Sequence, residues 1–573
     1  MTDHRPWLAS YPSDVPHTLE PYPEASVFSM LERSASVWPE NTAIAFLGKH
    51  LSYRELLRDV ERFSAVLALL GVGRDDRVGL LLPNCPQYVI AYYATVRLGA
   101  VVVGNNPLYT KRELSHQLAD AGIKVMVVLD QLYPAFAETQ QETVASVIAT
   151  KLTDYLPFPL NLLAPLKFRR DAREEGHPWP AVPSEAPVKW WAPLMKGAGT
   201  PPRAPDIDPS RDTAGLVYTG GTTGLSKGAM LSHRNIVANC MQSAAWFSDL
   251  KDGEDAIMCV LPFFHSYGMT VGMNLGIYRA GKLILVPRFE LKRVLQQVQK
   301  EKPTIFPGVP RLYVAINDAE ETKKYDLHSI KACLSGAASL SKSVAERFAS
   351  ITSGRLVEGY GITEASPVTH ANPIYGKAKT GSIGLPITDT ECRILDLEDP
   401  DRVVGVGEPG ELLIRGPQIM QGYWKRPEDT ALTIRGGWLY TGDVATMDEE
   451  GYFAIVDRIK DMIIVSGFNV YPAEVESVLA RHPAIAKVAV VGVPDDTTGE
   501  AVKAFVVLRE GAQATAEEVT SWSRDPENGL TGYRVPKQVE FRDSLPETLV
   551  GKVLRRVLLE QERERSAAPS SST

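Results

Sequence analysis

Between residues 27 and 103, apolar runs alternate with amphipathic helical patterns, and that rhythm restricts the fold more than any other feature of the chain. Residues 27–37 carry helical periodicity, and Thr42-Ala43-Ile44-Ala45-Phe46 reads as a strand. Ser52 followed three positions later by Glu55 is a capping-box pattern, which predicts a helix from Tyr53 to about Leu70. Residues 77–82 form an apolar strand closed by Pro83; 88–98 read as a helix and 100–103 as the next strand. Strands alternating with helices at this spacing predict an α/β layered domain with a largely parallel sheet. A chain of 573 residues has the volume for several structural units.

Charge and cysteine usage remove several function classes. The net charge of −8 gives no basic footprint, so no nucleic-acid partner is expected. Cys85, Cys240, Cys259, Cys333 and Cys392 are widely spaced, without a CxxC pair. They point to a reducing, cytoplasmic compartment and against a structural zinc. Residues 1–16 are polar and carry prolines, unlike a signal peptide. The longest apolar region, 257–287, is broken by Pro262, His265, Asn274, Arg279 and Lys282, which argues against a spanning helix.

The densest chemistry lies in Tyr218-Thr219-Gly220-Gly221-Thr222-Thr223-Gly224-Leu225-Ser226-Lys227-Gly228. Residues 214–218 before it read as a strand. The stretch from Leu231 reads as the start of a helix, with Ser232 as N-cap. Glycines that expose successive N–H groups, hydroxyls and one lysine, converging between a strand and a helix, suit a polyphosphate. This is not a Walker A loop, because Lys227 lies between Ser226 and Gly228. A flexible Gly/Thr surface turn is the plainer alternative.

Further motifs follow in order. Residues 156–196 are rich in proline and carry the basic run Lys167-Phe168-Arg169-Arg170, with Trp190 and Trp191 nearby. They are either a surface excursion packed on its own domain or a patch suited to an anionic membrane surface. Phe264-His265 precedes Gly268, Gly272 and Gly276, spaced by four; on a helix these line one face, for close packing or for a slot that takes an apolar chain. Residues 334–339 and 357–364 read as small-residue turns, the second carrying Tyr360 to pack on a nucleobase and Glu364 as a hard oxygen ligand for magnesium. Asp443 ends an expected strand, as a ribose partner or a turn cap. Beyond Arg458 the pattern becomes compact α+β, with Pro472 at a first helical position, strands at 488–491 and 504–508, and a helix at 552–565. Residues 566–573 read as a disordered tail.

Taken together, these stretches resemble the adenylate-forming superfamily of acyl-CoA synthetases, adenylation domains and luciferases, from about Ser26 to Leu559. The ordered set carries the resemblance: the Thr/Gly/Lys loop, Phe264-His265, Gly359 to Glu364, Tyr440 to Asp443, Asp457-Arg458-Ile459-Lys460 and Gly551-Lys552. Residues 437–472 are similar to bacterial long-chain fatty acid CoA ligases. The resemblance implies an α/β fold with a large N-terminal adenylate-forming domain (1–459) of layered α/β with a β-barrel-like part. A small mobile α+β C-terminal domain (460–573) follows. It implies fatty acid, ATP, Mg2+ and coenzyme A as reactants, through acyl-AMP and pyrophosphate.

Residue by residue, the resemblance gives the β- and γ-phosphates to Thr219, Gly220, Gly221, Thr222, Thr223, Gly224 and Lys227, and magnesium to Glu364 with Thr219. Ala337, Gly359, Tyr360 and Thr363 fall at the adenine site, and Asp443 and Arg458 at the ribose. His265 borders the acyl carboxylate, Lys460 is the hinge, Gly467 lines the pantetheine channel, and Lys552 is the cation for adenylation, so Lys552, His265 and Lys227 are the expected catalytic residues. Glu547 replaces a residue that is often basic in the family; Thr388 and Cys392 also depart from its common pattern. A medium-chain ligase, an amino-acid adenylating module, a luciferase-type oxygenase and a non-catalytic acyl or nucleotide binder are the alternatives. No aspartate lies between 261 and 276 to pair with an amino-acid ammonium. A homodimer and contact with the inner face of a membrane are both admitted.

Overall fold

The computed structural model describes residues 5–139, 142–161, 163, 164, 170, 182–219, 226–466, 468–495, 497–525, 530, 532–548 and 553–567. The chain forms two compact units: Met1–Glu391 with Arg415–Leu439, and Cys392–Ile414 with Tyr440–Thr573.

The first unit is built on an eight-stranded sheet. Its order is Gly422–Tyr423, Lys227–Ser232, Thr213–Thr219, Val101–Gly104, Arg77–Leu81, Ile123–Leu129, Ser146–Thr150 and Val188–Trp190. From Thr213–Thr219 to Val188–Trp190 every neighbouring pair is parallel. Such strands are covered on both faces, which is why they read as unbroken Val/Ile/Leu runs. The helix Tyr53–Leu69 carries the expected reciprocal cap between Ser52 and Glu55. It packs against Pro86–Arg97, whose residues are all buried. A second sheet runs Ala256–Cys259, Lys282–Leu285, Thr42–Phe46, Lys49–Ser52, and a third Ala332–Ser335, Arg355–Gly361, Val368–Ala371, Leu385–Pro386. Phe306, Tyr313 and Phe348 fill the core beneath them.

Two local readings need refinement. The helix expected after the Thr/Gly/Lys loop is present with its Ser232 cap, but a strand the sequence did not announce comes before it. Lys227–Ser232 is a strand that pairs antiparallel with Thr213–Thr219, and the helix His233–Trp246 begins only beyond it, capped by Ser232. Ala229 and Leu231 are buried in this sheet, so Leu231 belongs to the strand and the helix starts just after Ser232. Second, Gly268–Asn274 forms a wide π-type turn before the short helix Leu275–Tyr278. With more than four residues per turn, glycines spaced by four do not line one straight face. A Cβ on Gly268 would lie 2.2 Å from the Pro262 carbonyl oxygen, and one on Gly276 would lie 2.3 Å from Leu283 Cδ2. These two glycines serve close packing.

In the second unit, Ile485–Asp495 and Gly499–Leu508 form a long antiparallel hairpin flanked by Ile463–Val465 and Gln538–Phe541. The helices Pro472–Leu479, Ala516–Arg524 and Arg555–Ala567 complete it, with Val475, Leu479, Val490 and Val506 in one core and Phe505 and Leu558 in another. The last helix begins three residues later than expected. All five cysteines are buried thiols; burial pushes Cys85 up to about 12 and the other four, apart from Cys392, higher still. No described helix is long and apolar enough to cross a membrane.

His233 ties the helix Val27–Val37 to the start of its own helix, its Nδ1 accepting from the Val27 N–H at 3.1 Å. Burial lowers its pKa to about 4, so the folded protein holds it neutral where the unfolded chain takes up a proton. Stability is therefore lost as pH falls from about 6.5 toward about 4, by on the order of 2 kcal/mol for this group. In urea unfolding at pH 7 and pH 5, His233→Gln should show a smaller pH-dependent loss than wild type; identical losses would remove His233 from the acid response.

Candidate active site

The hairpin that flanks residues 220–225 sets Thr219 opposite Lys227. The Thr219 hydroxyl donates to the Lys227 carbonyl at 3.5 Å. Below it the hairpin is anchored from the helix Lys111–Ala121. Tyr218 donates its hydroxyl to Asp120 at 2.7 Å, and His116 Nε2 lies 3.1 Å from the Ser226 carbonyl oxygen. The Lys227 ammonium reaches Asp429 at 2.5 Å and stands 5.4 Å from the centre of the Tyr423 ring.

Tyr423 joins this lysine to Glu364. Its hydroxyl donates to Glu364 Oε1 at 2.7 Å, while the Glu364 carbonyl accepts from the Met420 N–H at 2.8 Å. Glu364 lies in the turn Thr363–Ala365, which packs on both strands of the hairpin. The adjacent Thr363 hydroxyl is 3.5 Å from the hydroxyl of Ser266, next to His265. Thr219, Lys227, Glu364 and Thr363 thus form one continuous cluster, which Ser266 joins beside His265.

The loop bearing His265 is held by Asn84. This buried amide donates to the carbonyls of Cys259 and Leu261 and accepts from the Phe263 N–H, all at 2.8–2.9 Å. His265 Nδ1 accepts from the Tyr267 N–H at 3.2 Å. The buried Tyr267 hydroxyl donates to the Leu334 carbonyl at 2.6 Å, and a Cβ on Gly336 would meet its ring at 3.0 Å. Gly336 therefore allows the chain to pass close over that ring, and Ala337 follows with φ +69°. Gly359 is packed likewise, since its Cβ would lie 2.8 Å from Leu334 Cδ1. Tyr360 stands edge-on to His370 at 5.8 Å, and burial lowers the His370 pKa to about 3, so the tyrosine meets a neutral ring.

In the second unit, Asp443 and Arg458 occupy paired positions on antiparallel strands, and Arg458 Nε meets Asp443 Oδ1 at 2.9 Å. Asp443 lies within the strand Trp438–Met447 and does not end it. Lys460 lies in the turn Ile459–Asp461. Arg555 binds that turn through Asp461 at 3.2 Å and the helix Pro472–Leu479 through Glu476 at 2.7 Å. Glu547 is taken by Lys487. Lys552, Gly467, Gly220, Gly221, Thr222, Thr223 and Gly224 lie outside the described residues.

The family profile described as AMP-binding enzyme matches residues 31–424, and the profile of the AMP-binding enzyme C-terminal domain matches 474–552. The chain belongs to the AMP-binding enzyme family. It is 47% identical to the long-chain-fatty-acid–CoA ligase of Bacillus subtilis (strain 168) over 98% of this chain and 99% of that protein. Against the protein of the same name from Escherichia coli O157:H7 the identity is 40%, over 97% and 98% of the two chains. The crystal structure of ATP-bound MatB from Rhodopseudomonas palustris superposes with a TM-score of 0.81 at 28% identity, over 95% of this chain and all of that one.

Among the described residues no three His, Cys, Asp or Glu side chains converge on a metal. A magnesium ion needs no such cage, because that ion is commonly held by one or two carboxylates, water and substrate phosphates. Glu364 and the Thr219 hydroxyl, on packed neighbours, fit that mode. Sequence reading missed Tyr423, Asp429, Asn84 and Tyr267. The Gly422-Tyr423-Trp424 string has a positive-φ glycine before two aromatics, the one signal that could have drawn attention to it.

Proposed function

We propose that this chain is an AMP-forming ligase that joins a long-chain fatty acid to coenzyme A. The reading is carried by the meeting of Lys227, Tyr423 and Glu364 beside a Gly/Thr loop. The names of its full-length relatives supply the substrate class. In the first step a carboxylate oxygen attacks the α-phosphorus of ATP, the bond to the bridging oxygen breaks, and pyrophosphate leaves with the electron pair. In the second the thiol sulfur of coenzyme A attacks the acyl carbon, AMP leaves and a proton is released.

Attack of one anion on another sets the electrostatic demand. Lys227 and the loop N–H groups hold the β- and γ-phosphates, and Lys552 faces the charge that grows on the transferring phosphoryl group. Glu364 and Thr219 would hold a magnesium ion, which when bound would supply further neutralisation of the triphosphate. Ala337, Gly359, Tyr360 and Thr363 receive adenine, Asp443 and Arg458 the ribose, and His265 borders the carboxylate. Lys460 is the hinge between 1–459 and 460–573, and Gly467 lines the path of the thiol after rotation.

The test is CoA-dependent AMP formation across straight-chain acids from hexanoate to oleate. Turnover should peak among the long acids, and Lys552→Ala should lower pyrophosphate release by a factor on the order of 100. A peak at hexanoate would overturn the chain-length assignment, and near-normal release by the variant would overturn the role of Lys552.

We infer a cytoplasmic enzyme and, of the two readings of residues 156–196, favour the peripheral membrane contact, because apolar side chains there are exposed. Phe158 (79% exposed), Leu160 and Leu163 present apolar side chains just before the basic run 167–170. Apolar and basic groups together suit an anionic interface. Wild type should sediment with phosphatidylglycerol vesicles, and Phe158→Asp with Leu163→Asp should sediment several-fold less. Equal sedimentation would remove this contact.

A further inference from the structure

Tyr423 touches both charged groups that the proposed reaction sets against the triphosphate, and every neighbour of the tyrosine restricts its motion. Its backbone lies opposite Ala229 on the strand that begins at Lys227. Its N–H donates to the Thr430 hydroxyl at 2.9 Å, and that hydroxyl donates onward to the Arg426 carbonyl at 2.8 Å. Gly422 has φ +142°, and a Cβ there would lie 2.6 Å from Thr430 Cγ2, so only glycine lets the strand approach this threonine. On the other side the Trp424 N–H donates to the Gly228 carbonyl at 2.8 Å, and its indole N–H to the Asp120 carbonyl at 3.0 Å. A tyrosine framed in this way delivers its hydroxyl to a fixed point.

That point is Glu364 Oε1, 2.7 Å away. Among the described residues no other donor meets the carboxylate group. A carboxylate with one oxygen occupied by a fixed donor offers a cation the second oxygen alone. One-oxygen ligation suits the small octahedral shell of Mg2+, whereas Ca2+ readily takes both oxygens.

We propose that Tyr423 is a positioning residue that holds Glu364 for one-oxygen ligation of Mg2+ and so favours Mg2+ over Ca2+ in nucleotide binding. This rests on the reading of Glu364 as the magnesium carboxylate.

The experiment is calorimetric titration of the full chain with the unreactive analogue α,β-methylene-ATP in Mg2+, in Ca2+ and in EDTA, for wild type, Tyr423→Phe and Glu364→Gln. Tyr423→Phe should lose about tenfold of the affinity gained with Mg2+, as for loss of a partner behind a metal ligand. Its affinity in Ca2+ should fall less, and its affinity in EDTA and its melting temperature should match wild type. If Tyr423→Phe keeps the whole Mg2+ gain while Glu364→Gln loses it, the role of Tyr423 is refuted and the metal carboxylate stands. If Glu364→Gln keeps the gain, the reading of Glu364 fails and this proposal with it. An equal loss in EDTA and Mg2+ would assign Tyr423 to the nucleotide pocket as a whole and would also overturn the proposal.

Discussion

The antiparallel pairing of Lys227–Ser232 on both its edges is the constraint on which the first unit's site depends. One edge binds Thr213–Thr219 and sets Thr219 opposite Lys227; the other binds Gly422–Tyr423 and sets Tyr423 opposite Ala229. Main-chain hydrogen bonds thus bring a hydroxyl, an ammonium and a phenol to one end of a sheet whose remaining strands are buried in apolar core. Side-chain contacts alone would not hold them there, because long charged side chains lose conformational entropy when fixed.

Magnitudes separate the ion pairs that belong to the scaffold from those that can be exchanged. Lys227 and Asp429 are each about one-third exposed, and pairs of that kind contribute about 0.2–1 kcal/mol. Phosphate oxygens can displace such a carboxylate at little cost. Asp443 is almost fully buried beneath Arg458, which is itself about one-third exposed, so this pair resists exchange more than Lys227–Asp429 does. That pair shapes the strand junction in the second unit before any nucleotide arrives. Arg555, bound to Asp461 and Glu476, likewise fixes the start of the last helix against the turn that carries Lys460.

Local signals in the sequence carried much of the fold. The Ser52/Glu55 cap, the helix 27–37 and the parallel strands were all visible, because caps and apolar runs are set by neighbours within a turn or two. The Ser232-capped helix was legible too, but the strand Lys227–Ser232 before it was not, because it is short and is fixed by partners on both sides, one of them nearly 200 residues away. The spacing of Gly268, Gly272 and Gly276 suggested a slot only on the assumption of 3.6 residues per turn, and the wide turn at Gly268–Asn274 breaks it. Of the site, residues inside motifs were found from the sequence. Tyr423 and Asn84 were not, since their roles arise from hydrogen bonds to residues 59 and about 180 positions away.

What unites these features is a surface built to let one anion attack another. The most direct test is ATP–pyrophosphate exchange without coenzyme A, which isolates the first step. Exchange that appears only when a long-chain fatty acid is added, and AMP release that then requires coenzyme A, is the predicted result. Exchange indifferent to fatty acid, or none at all from folded protein that binds ATP, would contradict the account.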